Sequence, residues 1–229
     1  MAIAVDSSTP ASFKLSSSDS ASSVTTNSFN PPANSLILVA VGCNSASGST
    51  RTVTISNNST ALTWQQIGIR NAADSGGLDG FAGLWCAPLL TARTGMTVTA
   101  TPNNSTSSTC AIEPYVLTGV DLTTPVGSVA EGSFTASTTA GTLVSQKASS
   151  LGIIVVNQWS YSTGIPTSSS TTNKTYDAGS HICGFAGYKT LGAAGSNGTF
   201  SLSGGGTCDW VAAEIRPAGN PAQFMPFFL

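Results

Sequence analysis

Short apolar runs recur along the whole chain, separated by stretches of Ser, Thr, Asn, Gly and Pro. Residues 36–41, Leu-Ile-Leu-Val-Ala-Val, form a continuous, partly β-branched run, the pattern of a strand buried on both faces. Residues 151–156 repeat that pattern. Residues 52–55, Thr-Val-Thr-Ile, alternate strictly and predict a half-exposed strand, as do residues 96–100. Further strands are predicted at 2–5, 12–15, 62–69, 81–86, 110–117, 143–144, 182–189, 199–202 and 210–215. Pro114 lacks a ladder donor, so its strand is expected at a sheet edge or a bulge. Residues 71–80, 127–141 and 159–172 read as loops or crossing segments from their Gly, Asp, Ser and Thr content. No window carries a sustained 3.6-residue apolar period with caps, so no helix is predicted.

The runs are also echoed. Phe81-Ala82-Gly83 returns as Phe185-Ala186-Gly187, and Thr109-Cys110 returns as Thr207-Cys208. Upstream, residues 34–42 (NSLILVAVG) resemble residues 149–157 (SSLGIIVVN). Three correspondences in one order point to a structural unit used twice. The predicted fold is therefore all-β, a jelly-roll-like β-sandwich built from two echoed groups of about four antiparallel strands. An Ig-like tandem is the alternative, with residues 123–149 as a linker instead of a strand connection. In this reading 1–30 is a Ser-rich N-terminal segment with short strands. The sandwich occupies 31–217, with halves at 31–122 and 143–217, and 218–229 is a C-terminal arm.

Composition narrows the function classes. Only 18 of 229 residues are charged, about a third of the usual share, and the net charge is −2. The eight basic residues are scattered, so no stripe answers a phosphate backbone and nucleic-acid binding is not expected. Ser (35) and Thr (30) supply more than a quarter of the chain, which favours strands and turns over helix. A surface solubilised by hydroxyls suits extended contact with neighbours, because hydroxyls cost less to desolvate than ions. The N-terminal residues carry neither a signal-peptide pattern nor a membrane span. Five cysteines (Cys43, Cys86, Cys110, Cys183, Cys208) leave at least one unpaired. The pairings Cys86–Cys110 and Cys183–Cys208 are considered alongside buried free thiols.

Catalytic chemistry finds no constellation. His181 is the sole histidine, there is no Gly-x-Ser-x-Gly elbow, and the ten acids fall in no paired motif. Glu113 and Glu214, near the ends of echoed strands, read as solvent-facing charges that discourage edge pairing. Asp74 and Asp79 share a Gly-rich loop but match no calcium-loop spacing, and no cofactor or metal is expected. Trp159 and Tyr161 form an aromatic pair on the 159–172 loop. They predict either a sugar-stacking platform or, for Trp159, a cap on the core.

After Pro217 the chain reads AGNPAQFMPFFL, an apolar tip of Phe224, Met225, Phe227, Phe228 and Leu229. Pro221 and Pro226 exclude a regular helix there. A segment this apolar is expected to pack either on its own domain or on a neighbour, and the second reading, preferred here, makes it an anchoring arm. The runs GFAGLWCAPL, CAIEPYVLTGVDLTTP and TCDWVAAEIRPAG, followed by the Pro-containing tail, resemble small β-sandwich virion proteins of tailed bacteriophages, of the head-decoration and minor tail or fibre-associated type. The resemblance spans about residues 34–219 and implies a non-catalytic virion component assembled in the host cytoplasm. Its implied partners are its own copies and a capsid or tail protein. The alternative function is a carbohydrate-binding adhesin module that meets a host glycan through Trp159 and Tyr161.

Overall fold

The structure, a computed structural model, describes residues 2–16, 22–45, 51–73, 79–103, 109–135, 138–159, 164–168, 172–179 and 181–219. Among these residues there is no helix; every regular element is a strand, and the pairing is antiparallel throughout. The first half runs β1 (Ala4–Val5), β2 (Lys14–Leu15), β3 (Val24–Thr25), β4 (Ser35–Ser45), β5 (Val53–Asn57), β6 (Gln65–Ala73), β7 (Asp79–Leu89), β8 (Val98–Pro102) and β9 (Cys110–Thr118). The second runs β10 (Val126–Thr135), β11 (Thr138–Val144), β12 (Leu151–Gln158), β13 (Thr167–Ser168), β14 (Thr172–Asp177), β15 (Cys183–Thr190), β16 (Asn197–Ser203) and β17 (Thr207–Ile215).

The two halves share one topology. The large sheets are ordered β1-β9-β4-β7-β6, with β2 also on β9, and β10-β17-β12-β15-β14. The small sheets are ordered β3-β8-β5 and β11-β16-β13. With β1 and β2 sharing the first position, each half has eight positions in the same sheet order, a jelly-roll arrangement with its fifth strand moved onto the sixth. Each echoed unit thus holds more strands than the four that its apolar runs predict. The additional ones are short or weakly patterned. Residues 127–141, read from sequence as a crossing segment, supply most of β10 and β11, and β13 and β14 begin inside or beside the 159–172 stretch. The units are joined through Val120–Pro125, where Val120 bridges Pro217 and Asp121 N–H donates to the Arg216 carbonyl at 3.0 Å.

Register makes the duplication residue-specific. Leu36 sits against Leu117 as Leu151 sits against Ile215, and Cys43 faces Cys110 as Gln158 faces Cys208. Just ahead of β4 and β12 a residue takes a left-handed conformation, Asn34 at φ 57° and Ser149 at φ 64°. Asn44 N–H donates to Thr109 O at 3.1 Å, and Trp159 N–H to Thr207 O at 3.2 Å. The 34–42 and Thr-Cys correspondences are therefore in register. The Phe-Ala-Gly one is displaced, since Phe81 occupies the place of Cys183, two residues before Phe185. A two-residue shift keeps side chains on the same face, which is why the pattern survived it.

The large sheets stack face to face, and each small sheet covers the outer face of its own large sheet, giving four layers and three apolar cores. Leu36, Leu38 and Ala40 join Ile153, Val155, Val211 and Ala213 in the central core. Ile37, Val39 and Val41 pack instead against Val53, Ile55, Val98 and Met96. Ile154 and Val156 pack with Leu143, Phe200 and Leu202. Burial on both faces is the reason β4 and β12 are apolar at successive positions rather than alternating. Pro114 is not at an edge: its strand β9 lies between β4 and the N-terminal segment. Cys110 and Val116, in the same phase as Pro114, exchange hydrogen bonds with Ser16 and with Asp6 and Thr9. The missing N–H therefore falls in the gap between β1 and β2, where no ladder asks for it.

Because the units share the central core, they are expected to unfold together. Leu38→Ala in the central core and Phe200→Ala in the outer core of the second unit should each cost about 2–5 kcal/mol. Calorimetry should show a single transition lowered by about 5–15 °C in both variants. Two resolved transitions, only one of them shifted, would contradict a shared core.

Candidate functional site

Polar side chains enter the central core in a seam along the strands, contributed by both units. At one flank Glu113 on β9 has no exposed surface and forms an ion pair with Lys174 on β14. The Lys174 ammonium also donates to the Pro10 carbonyl and lies 4.7 Å from the centre of the Tyr115 ring. Tyr115 Oη donates to the Ala186 carbonyl at 3.1 Å, and its ring meets Tyr188 edge-on. Near the middle, Asn157 Nδ2 donates to the Cys43 carbonyl at 2.8 Å, and Tyr176 Oη donates to Asn157 Oδ1 at 2.7 Å. Gly42 lies opposite Asn157, and a Cβ there would overlap the Tyr176 hydroxyl. At the other flank Arg70 Nε donates to Ser133 Oγ at 2.9 Å, and that hydroxyl donates to Asp209 Oδ1 at 2.6 Å.

Gly42 and Asn157 are equivalent positions of the two units and face one another, so a pseudo-twofold axis runs along the strands between β4 and β12. The other polar members break that symmetry. Glu113 corresponds to Val211, Tyr115 to Ala213 and Asp209 to Ala111, so a bulky or charged group on one unit meets a small or apolar one at the matching place. Four of these contacts cross between the units, Glu113–Lys174, Tyr115–Ala186, Asn157–Cys43 and Arg70–Ser133, and they fix the pairing of unlike units.

The chemistry of this seam is that of enclosed groups. Burial pushes the Glu113 carboxyl up from 4.5 to about 7, against the opposing pull of Lys174. Burial likewise raises the Tyr115 and Tyr176 hydroxyls well above 10. Glu113 and Asp209 have no exposed surface, so neither reaches a bound substrate. Glu214, also without exposed surface, accepts from the backbone N–H groups of Ser128 (3.1 Å), Gln146 (2.8 Å) and Lys147 (3.1 Å). Burial raises its carboxyl and these hydrogen bonds, with the Ser150 hydroxyl, more than offset it, leaving it below the usual value. The expectation that Glu113 and Glu214 face solvent is therefore wrong. Their partners come from segments remote in sequence, which strand-end position alone does not reveal.

The cysteines resolve by register. Cys43 and Cys110 are directly opposed on neighbouring strands with Cα atoms 4.2 Å apart and form a disulfide. Cys86 cannot reach Cys110 because β4 lies between their strands, and Gln158 on β12 separates Cys183 from Cys208 in the same way. Cys86, Cys183 and Cys208 are buried thiols, with Cys86 pushed up to about 12 and Cys183 to about 11, chiefly by burial.

Trp159 has 1% of its surface exposed and belongs to the central core, with its ring against Gly80, where a Cβ would overlap it. Both ring faces are spent on packing, so Trp159 is a core cap and not half of a sugar platform. Its proposed partner Tyr161 lies outside the described residues, as do Phe224, Met225, Phe227, Phe228, Leu229 and Asp74. His181 is half-buried beside β15. Among the described residues no three His, Cys, Asp or Glu side chains gather as a metal-binding group, and no helix is long and apolar enough to cross a membrane.

Among the described residues two grooves lie at the base, the end where β4 and β12 begin and β7, β9 and β17 finish. Ala2, Lys147, Ser149, Pro217 and Gly219 line one notch, which brings both ends of the described chain together. A second groove, about 390 Å³, is walled by Leu62, Pro88 and Leu90 with Arg93 at its rim. Leu90 is 70% exposed, the most exposed large apolar side chain among the described residues. The sequence expectations did not include this groove, because Leu90 continues the apolar run of its strand and only its place beyond the strand end exposes it. No known protein family, curated protein or solved structure matches the chain.

Two outcomes are expected. Denatured without reductant, the chain should present three reactive thiols to a disulfide-exchange reagent, rising to five after reduction; five from the outset would contradict the Cys43–Cys110 bond. Glu113 holds its proton more tightly when folded than unfolded, so its contribution to stability is present below pH 4.5 and lost as pH rises through about 7. Melting temperature should accordingly fall between pH 5 and pH 8, and Glu113→Gln should flatten that slope.

Proposed function

We propose that the chain is a non-catalytic structural protein of a tailed-phage virion. In this reading it decorates or stabilises the capsid, or forms part of the tail, through protein–protein contacts with its own copies and with a capsid or tail protein. The apolar residues Phe224, Met225, Phe227, Phe228 and Leu229 serve as the anchor.

One observation carries this reading: a four-layer block built on a shared core has uncharged outer faces, and Pro217 and Gly219, which precede the arm in sequence, lie at one end of it. On one outer sheet the outward positions are Thr25, Thr54, Ser56, Thr99 and Thr101; on the other they include Thr142, Thr199, Ser201 and Ser203. Such faces lie close to neighbours at small desolvation cost. Both described ends meet at the base, so an anchor there leaves the opposite end projecting. The Cys43–Cys110 bond suits a particle assembled in host cytoplasm and then released into oxidising surroundings. A carbohydrate site on Trp159 would require its ring to leave the central core, so contact with protein is the better-supported role.

Mass spectrometry of purified particles should find the chain at a fixed copy number. Deleting residues 224–229 should abolish incorporation while leaving circular dichroism and melting temperature of the soluble protein unchanged. Normal incorporation of the truncated chain would sink the anchoring role.

A further inference from the structure

We infer that the open edge of β5 is a contact surface for a second copy of this chain, the two β5 strands pairing antiparallel about Ile55. The inference rests on the reading above for the expectation that copies meet, and it names where they do.

β5 ends the small sheet β3-β8-β5, and among the described residues β8 is the one strand it pairs with. Register shows which of its backbone groups are open. Asn103 N–H donates to Thr52 O at 2.9 Å and Asn58 N–H to Thr97 O at 3.2 Å, so the even-numbered residues bond β8. Alternate residues of an antiparallel ladder face the other way, so the N–H and C=O of Val53, Ile55 and Asn57 point outward from the sheet. One residue earlier in that series the edge is closed by a side chain. Asn71 Oδ1 accepts from Arg51 N–H at 3.2 Å, and Asn71 Nδ2 donates to Arg51 O at 2.7 Å. The amide of Asn71 does for residue 51 what a neighbouring strand would do for 53, 55 and 57.

Other sheet edges are guarded among the described residues. β1, β2, β3 and β13 are two residues long, and β6 and β10 are bulged. β14 carries Lys174 and Asp177, and β11 lies against β10, with its Val144 carbonyl accepting from Ser128 Oγ at 2.8 Å. β5 has none of these devices: it is five residues long, regular in register and free of charge and Pro.

The open groups are self-complementary, which selects a second β5 as the occupant. Setting Ile55 against its own counterpart places Val53 opposite the neighbour's Asn57, and all of the outward donors and acceptors are then used. Directly opposed residues share a face, so Ile55 meets Ile55 on the apolar side, where it already packs with Val53 and Val98. On the hydroxyl side Thr54 meets Ser56, a favourable cross-strand pair. At a twofold axis each residue lies near its own kind, so a charge on this edge would repel itself. Residues 52–64 contain no charge. The C-terminal arm suits this edge less well. Pro221 and Pro226 are an odd number of residues apart, so a strand through both turns one of them to where a donor is needed. The product is a closed, isologous dimer whose two small sheets join as β3-β8-β5-β5-β8-β3.

Sedimentation velocity on the full chain over a concentration series tests this. The parent should show a monomer–dimer equilibrium. Thr54 and Ser56 are exposed, so charges placed there spare the fold. Thr54→Lys/Ser56→Lys should raise the dimer Kd at least about tenfold, and so should Thr54→Glu/Ser56→Glu. Mixing these two variants should restore a 1:1 dimer, because Lys then lies opposite Glu in both cross-strand pairs. In hydrogen exchange the amides of Val53, Ile55 and Asn57 should be protected in the dimer and lose that protection on dilution. A monomeric parent, charged variants that associate like the parent, or a mixture that stays monomeric overturns the inference. Association lost on deleting residues 220–229 but untouched by the charged variants would assign the contact to the arm and likewise overturn it. Mass spectrometry of particles tests the virion reading separately. A parent that dimerises through β5 yet is absent from particles sinks that reading and leaves this edge standing, and a monomeric parent found in particles does the reverse.

Discussion

Everything in this molecule depends on the burial of two large sheets on both of their faces. A β-sheet covered on one side and wetted on the other needs only alternate apolar residues. Here each large sheet is covered once by its own small sheet and once by the other unit. That double demand is met by β4 and β12, whose successive residues feed two cores in turn, Leu38 inward and Val39 outward, Val155 inward and Val156 outward. Removing either unit would expose the central face of the other, a surface of Leu, Ala, Val and Ile too large for a soluble monomer. The two units are therefore one folding body despite their complete individual topologies.

Apolar contact alone would not say which face meets which, because the units are echoes of each other. The polar seam supplies that distinction. Position 42 is Gly and its equivalent 157 is Asn, so the two meet on the pseudo-axis without a clash or a void. Glu113 reaches Lys174 across the layer, while the place equivalent to Glu113 holds Val211. Like units packed together would crowd an Asn against an Asn, or would bury a Glu without an ammonium, the latter at a cost of several kcal/mol. The seam is thus the specificity device of the internal interface. Its groups are spent on holding the units in register.

Much of the architecture was legible in the chain. The paired runs at 36–41 and 151–156 announced strands buried on both sides, and Thr109-Cys110 with Thr207-Cys208 announced the duplication. Strand β10 escaped because its Val, Ala, Gly, Ser and Glu alternate weakly, as befits an edge strand with a half-wet face. Glu113 and Glu214 were misread because a strand-end carboxylate has the same local sequence whether water or a remote partner satisfies it. Trp159 was left between platform and cap for the same reason: its neighbours in sequence are a loop, while its neighbours in space are Gly80 and the central core.

The chain by itself determined the class of structure and the repetition, because strand burial and duplication both leave marks at fixed local spacing. Period two survives small slips, as the displaced Phe-Ala-Gly shows, so faces are readable even where register is not. The tertiary structure alone decided the disulfide, the ion pair, the enclosure of Trp159 and the groove at Leu90. Each of these depends on which residues lie opposite across a layer or ladder. Cys43 and Cys110 are 67 residues apart yet directly opposed, while Cys183 and Cys208 are kept apart by one intervening strand. Long-range opposition is set by the summed register of several strands, and no local pattern encodes that sum.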